Sequence, residues 1–310
     1  MRCIELFAGA GGAALGLEAA GIEHAALCEW DRHACATLRA AGLGPVVEGD
    51  VRDLDAIAAV AGESCDLLWS SFPCQAWSTA GKQRGAEDER NGWPWTVDAI
   101  DRFSPRWFLA ENVRGLIQHS EEGHPDPQKC PRCYFETVIL AQLRERFACV
   151  GWWVLNAADF GVPQMRHRVI IWAGPKPIRA PRPTHGPPEK ARQGDLFGFR
   201  IDRYLPAKFA LNAGSVGRLI RLPPPSDRAG NLPWPIDKPC PTLGKSGLRL
   251  VYGEKWRNLD LVECAALQDF PIMHPFSGPM AARFAQVGNA VPPKLAEVVG
   301  RALMTAEGAA

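Results

Sequence analysis

Short apolar runs bounded by glycine, proline or acidic residues alternate, through the first half of the chain, with stretches whose apolar positions recur at helical spacing. Cys3 to Phe7 is the first such run and predicts a strand; Ala13 to Ala20, closed by Gly21, predicts the helix behind it. Strands are expected again at His24 to Cys28, Pro45 to Glu48, Asp66 to Ser71 and Arg106 to Ala110, with a helix at Thr96 to Phe103. Farther on, Phe135, Val138, Ile139, Leu143 and Phe147 make one helical stripe for the core, and Trp152 to Asn156 and Val169 to Ala173 form a strand pair. Pro292 and Pro293 open a last helix, Lys294 to Met304, since proline suits a first helical turn. Buried strands alternating with helices predict a doubly wound, mostly parallel α/β sheet. In that architecture ligands gather at the carboxyl ends of the strands.

The candidate chemistry falls at those ends. After the first strand comes Ala8-Gly9-Ala10-Gly11-Gly12, a loop whose glycines let backbone approach a ligand and whose following helix favours negative groups. Dinucleotide enzymes and adenosyl-cofactor enzymes share this arrangement. The second strand ends at Glu29-Trp30, a carboxylate able to accept from ribose hydroxyls beside an indole able to cover an adenine. The third ends at Gly49-Asp50-Val51, a second carboxylate at an adjacent strand end. Taken singly, each carboxylate reads equally as a helix cap or a surface charge. The fourth leads into Ser71-Phe72-Pro73-Cys74, where a proline-stiffened turn exposes a thiol placed like a nucleophile. Alone, that cysteine reads equally as a small buried apolar residue.

Gln75 to Trp95, rich in glycine and charge, reads as a lid over Cys74 or as an ordinary exposed loop. The next strand ends at Glu111, a candidate proton donor brought to the same edge as Cys74. Around Phe160 to Arg168, alternation aims Gln164, Arg166 and Arg168 to one side, a basic hydrogen-bonding edge.

Charge changes the picture where composition does not. Hydrophobic content of 46% and charged content of 22% over 310 residues are ordinary for a soluble protein able to bury a large core. No run approaches a membrane span and nothing resembles a signal peptide, so a cytoplasmic protein with reduced thiols is expected. The net charge of +1 hides an asymmetry: Pro175 to Arg257 holds 16 Lys or Arg against 6 Asp or Glu, and 14 of the 27 prolines. A basic, proline-rich, irregular segment suits a polyanion-binding module, the alternative being a solvated insertion. Within His119 to Cys133, the residues His119, His124, Cys130 and Cys133 read either as one zinc site or as a loop with two thiols.

Six motifs in order carry a family resemblance: LFAGAGG at Leu6 to Gly12, the acidic pairs Glu29-Trp30 and Asp50-Val51, FPCQAWS from Phe72, ENV from Glu111, QMRHR from Gln164, and QVGNAVP from Gln286. Together they resemble a DNA (cytosine-5) methyltransferase of bacterial or phage type, over about residues 1–174 and 257–305. The resemblance implies an S-adenosylmethionine (AdoMet) methyltransferase sheet, residues 1–174 plus 280–310, with a smaller inserted target-recognition domain, residues 175–279. It implies AdoMet binding through Phe7, Ala8, Gly9, Gly11, Glu29, Trp30, Asp50, Val51, Pro73, Asn289 and Val291. It carries over Cys74 as nucleophile, Glu111 at cytosine N3, Arg168 at the base O2, and Arg166 within the catalytic set.

Double-stranded DNA is the implied partner, bound by a monomer with the target base flipped out, and a cognate restriction endonuclease the implied companion in a restriction-modification system. The same chemistry on tRNA, and a DNA-binding relative without catalysis, are the alternatives; Ala76-Trp77-Ser78 and the intact Cys74, Glu111 and Arg168 favour the first reading. Leu259 to Pro271 resembles a further family motif, with Val262 and Ala266 where arginines are common.

Overall fold

The computed structural model describes residues 1–73, 91–118, 130–188, 201–211, 217–221 and 234–308. Strands β1 (Arg2–Leu6), β2 (Glu23–Glu29), β3 (Val46–Glu48), β4 (Leu67–Ser70), β5 (Trp107–Val113), β6 (Cys149–Asn156) and β8 (His167–Gly174) form one seven-stranded sheet, with β7 (Gln164–Met165) just before β8. Its order is β3-β2-β1-β4-β5-β8-β6. The first five are parallel, and β8 runs antiparallel to both β5 and β6. The direction of winding reverses between β1 and β4, the switch point at which such sheets open a crevice. The expected doubly wound sheet is therefore present.

Apolar side chains alternate between its two faces. Ile4, Leu6, Leu68, Phe108 and Ile171 lie under α3 (Leu54–Ala61), α4 (Trp93–Phe103) and the helical stretch from α5 (Pro131–Tyr134) through a π turn (Phe135–Ile139) to α6 (Leu140–Arg146). Cys3, Leu67, Trp69, Trp107 and Ile170 meet α1 (Gly12–Ala19) and the last helix, α9 (Pro293–Glu307). α1 and α9 pack at backbone contact: a Cβ on Gly16 would lie 2.2 Å from the Pro293 carbonyl oxygen, so any larger residue would push the helices apart. That contact ties the last helix, which starts at Pro293 much as expected, to the first. Between β2 and β3, α2 (Arg32–Ala40) is capped by Asp31, which accepts from the backbone N–H groups of His33 and Ala34.

Several expected boundaries shift: β5 runs on past Ala110 to Val113, β6 starts at Cys149 rather than Trp152, and two helices start early. α4 starts at Trp93 rather than Thr96, because Pro94 suits its first turn and the Trp93 ring is buried edge-on against Phe72 and Phe108. The lid expected over Gln75 to Trp95 thus ends in helix, and its residues 75–90 lie outside the described residues, as does Cys74. The helix expected from Phe135 starts at Pro131, so Cys133 is helical and the buried Cys130 is its N-cap. His119 and His124 lie outside the described residues, among which no cluster of three metal-ligating side chains occurs.

The basic segment is less irregular than expected. β11 (Arg218–Arg221), β12 (Trp234–Pro235), β14 (Leu248–Tyr252) and β15 (Lys255–Asn258) form a four-stranded antiparallel sheet in the order β12-β11-β14-β15. Two-residue strands β9 (His185–Gly186) and β10 (Asp202–Arg203) pair with each other, and β13 (Cys240–Pro241) pairs with β7. Leu219, Leu248 and Leu250 share a core with Leu259, Cys264 and Leu267 around α7 (Leu261–Leu267) and with Val287 of α8 (Met280–Asn289). α8 meets both parts, with Val287 in the smaller core and Gln286 accepting from Thr37 Oγ1 of α2 at 2.7 Å, while α9 packs on the main sheet. Within α7, Val262 is exposed and Ala266 half-buried, and a capping box between Asp260 and Glu263 fixes the helix start. No described helix is long and apolar enough to cross a membrane.

Candidate active site

At the β1 end the chain turns sharply, with Phe7 at φ 59°, Gly9 at 55° and Gly11 at 82°. Gly11 admits no substitute easily, since a Cβ there would meet the Leu43 side chain at 2.5 Å in a left-handed backbone. Glu29 holds this loop in place. One of its carboxylate oxygens accepts from the Gly9 N–H at 2.7 Å, the other from the N–H groups of Trp30 at 3.0 Å and Asp31 at 2.9 Å. Its burial pushes the carboxyl pKa up, against the pull of those three N–H groups. A carboxylate offers about four acceptor positions, so about one stays available to a ligand hydroxyl.

Around that loop stand the other expected contacts. The Trp30 ring is 76% exposed, presenting an apolar face to solvent beside the loop. Asp50 is held by Arg52, whose Nε lies 3.0 Å from both carboxylate oxygens and keeps the Asp50 pKa low. The Arg52 guanidinium lies 5.1 Å from the Trp95 ring, which in turn stacks on Phe7 at 6.4 Å. Ala8, Val51 and Val291 are buried, Pro73 is half-buried and Asn289 is exposed. An exposed indole face, a glycine loop and two carboxylates at neighbouring strand ends fit an adenosyl group. Arg52 was not among the expected site residues; its signal was an arginine two positions past an acidic strand end. Nor was His274, which meets the Ala10 carbonyl at 2.9 Å and so supports the loop from the far side.

The β4 and β5 ends form the second half of the site. Ser70 pairs with Ala110 in register, so the turn after β4 leaves the sheet beside Glu111. Asn112 donates to the Phe72 carbonyl at 3.1 Å and fixes the stretch two residues before Cys74. Only Glu111 had been singled out from ENV, although the asparagine next to it carries this contact. Glu111 is met by Arg168, with Nε 2.5 Å from its Oε1, and each side chain is only 10% exposed. Arg168 Nη1 also donates to the His167 carbonyl at 2.8 Å. A buried carboxyl group clamped by a guanidinium is a fixed proton-handling and hydrogen-bonding pair.

Arg166 departs from its expected place in the catalytic set. Its guanidinium is 1% exposed and donates to backbone carbonyls of Gly288 at 3.0 Å, Ala290 at 2.8 Å and Leu243 at 3.4 Å. Burial, with the like charge of Arg168 nearby, pushes its pKa down from the usual guanidinium range. Gln164 is buried as well. Its Nε2 donates to the Leu267 carbonyl at 3.1 Å and to Gln268 Oε1 at 2.6 Å, and its Oε1 accepts from the Leu243 N–H at 3.1 Å. The basic edge expected from alternation is thus split: Arg168 faces Glu111, while Gln164 and Arg166 are sealed against carboxyl-terminal backbone.

Comparison with known proteins is consistent across the chain. A family model described as C-5 cytosine-specific DNA methylase matches residues 1–198 and 228–305. The Type II methyltransferase M.Eco47II of Escherichia coli is 32% identical over 97% of this chain and 78% of its own length. The Type II methyltransferase M.NgoMIV of Neisseria gonorrhoeae is 30% identical over 98% of this chain and 97% of its own. Among solved structures, the S. pombe Dnmt2 methyltransferase superposes with a TM-score of 0.66 at 15% identity, covering 98% of this chain and 97% of that one, a likeness of fold. The chain belongs to the C-5 cytosine-specific DNA methylase family.

Proposed function

We propose that this member of the family transfers a methyl group from AdoMet to C5 of a cytosine flipped out of a specific double-stranded DNA sequence, through a covalent Cys74 adduct. The buried Glu111–Arg168 pair, at the strand edge beside the turn that leads to Cys74, is the observation that carries the reading. Cytosine C5 is a poor nucleophile until the Cys74 thiolate bonds to C6 and the ring electrons move toward N3. Glu111 meets that build-up of charge by giving or sharing a proton at N3, and Arg168, anchored by Glu111, would hydrogen-bond the base O2. AdoMet supplies an electrophilic methyl group on its sulfonium. Loss of the C5 proton and release of the Cys74 sulfur then restore the aromatic ring. A base stacked in a duplex hides C6, so the pocket requires extrusion of the nucleotide.

On the cofactor side, Phe7, Ala8, Gly9, Gly11, Glu29, Trp30, Asp50, Val51, Pro73, Asn289 and Val291 would hold AdoMet, with Arg52 giving up Asp50 to it. The strand edges and loops of the basic segment would follow the DNA phosphates and select the target. A cognate endonuclease would suit the Type II names of the relatives, and the enzyme would act on DNA as a monomer. The test is to map methylated cytosines in DNA from cells expressing the wild type and the Cys74→Ser variant. One short sequence context methylated by the wild type and untouched by the variant is expected. Full activity of the serine variant would overturn the covalent step, and methylation confined to tRNA would move the substrate to RNA.

A further inference from the structure

The stretch that carries Arg168 to Glu111 is held from behind by a buried polar joint. β7 and β13 pair side by side, Cys240 N–H donates to the Pro163 carbonyl at 2.9 Å, and Thr242 Oγ1 donates to the Met165 carbonyl at 2.8 Å. Gln164 then reaches the end of α7 through Leu267 and Gln268, and Gln268 Nε2 donates in turn to the Ala290 carbonyl. Arg166 donates to that same carbonyl, between α8 and α9, and to that of Gly288, in the last turn of α8. Three segments distant in sequence therefore converge on Gln164 to Arg166, two residues before Arg168.

We infer that Gln164, Arg166 and Gln268 are positioning residues, a joint through which the seating of the basic segment and its helices sets the placement of Arg168 against Glu111. The physical case is the exclusion of water. Gln164 and Gln268 are 0% exposed and Arg166 1%, so a broken hydrogen bond here has no solvent to replace it and the strand must shift instead. The guanidinium forms no ion pair among the described residues and is held by neutral carbonyls, while its Nε has no partner. Such a group marks position rather than adding much stability, since a buried charge without a carboxylate is costly to keep. Backbone continuity finishes the link: Arg166 N–H donates to Asn156 Oδ1 at 3.1 Å, and β8 starts at the next residue.

The inference rests on the proposed cytosine chemistry, and the test separates the two. Gln268→Met keeps the side-chain volume and removes both of its hydrogen bonds. Single-turnover methyl transfer, KM for a target duplex and AdoMet affinity are measured for the full chain and the variant. Expected is a 10- to 100-fold slower transfer step, with AdoMet affinity and duplex KM each within about threefold of wild type, a split that a merely structural role would not give. In a cycle with Arg168→Ala, the two substitutions should cost less together than the product of their separate effects. An unchanged transfer rate, or a loss confined to duplex KM, overturns the joint while wild-type methylation still stands; a wild type that methylates no cytosine removes the underlying reading. Should Gln268→Met fail to fold, Thr242→Val cuts one half-buried hydrogen bond on the same strand. A threefold or larger slowing at unchanged KM then supports the joint, and none overturns it.

Discussion

The two halves of the site are built on different length scales. At the β1 end, Gly9 and Glu29 are 20 residues apart, and Glu29 takes its other two N–H groups from the two residues that follow it. At the β5 end, Arg166 reaches Ala290, 124 residues on, and Gln164 reaches Gln268, 104 residues on. The first half is a loop held chiefly by hydrogen bonds within one βαβ unit, with His274 as a single long-range support. The second exists only when the carboxyl-terminal helices are seated, so catalysis, more than cofactor binding, should report on long-range packing.

The largest separation of the two halves is expected from Glu111→Gln, which keeps the shape and changes the proton chemistry. It should slow single-turnover transfer by roughly 10²- to 10⁴-fold, the usual worth of a positioned acid or base. AdoMet affinity by calorimetry should stay within about twofold. An equal loss of cofactor binding would join the halves that the hydrogen bonds keep apart.

Asp50→Ala is the reciprocal change. Removing a charged acceptor should weaken AdoMet by about 1 to 3 kcal/mol, with the transfer rate at saturating cofactor nearly unchanged. Because Arg52 already occupies Asp50, the lower part of that range is expected. Calorimetry showing wild-type affinity would remove Asp50 from the pocket.

pH reaches the long-range half through Asp269, which caps the last helix by accepting from the Lys294 N–H at 2.8 Å. Burial raises its pKa from 3.8 to about 6, opposed by Lys294 and aided by Glu297. The folded protein thus holds this proton more tightly than the unfolded chain does. Asp269 therefore makes stability fall as pH rises through the window from 3.8 to about 6, and is flat on either side. Asp269→Asn keeps an acceptor without the charge. It should flatten that slope and stabilise the fold at pH 7 by about 1 to 2 kcal/mol, below the full worth of the shift because the side chain is part-exposed. Thermal melts of both forms between pH 4 and 7 test this, and parallel curves would refute it.

The smallest effect per residue is expected on the small sheet, where Arg218, Arg249 and Lys255 lie on β11, β14 and β15 and Arg249 stacks over Trp256 at 3.9 Å. Changing all three to Gln should reduce the slope of log affinity against log salt by up to about 0.9 per lost phosphate contact. AdoMet affinity should not move. A wild-type slope would place the phosphate contacts elsewhere in the basic segment.

By itself the sequence determined the strands, the glycine loop, the acidic strand ends, the place of Glu111 on the strand beside β4 and the start of the last helix. Those features depend on local periodicity, on turn chemistry and on the rule that parallel strands bury both faces, all of which are written within a few residues. Tertiary structure alone decided what the side chains of QMRHR do. Gln164, Arg166 and Arg168 share a spacing of two, and spacing sees them as one row. Yet β7 stops at Met165 and β8 starts at His167, so the row crosses from a joint with carboxyl-terminal backbone to the catalytic pair. Which partners Gln164 and Arg166 meet was settled by segments more than 70 residues away, brought in by helix packing that no local pattern encodes. The same holds for the small sheet: a proline-rich stretch reads as irregular until Leu219, Leu248 and Leu250 find a common core under α7 and α8.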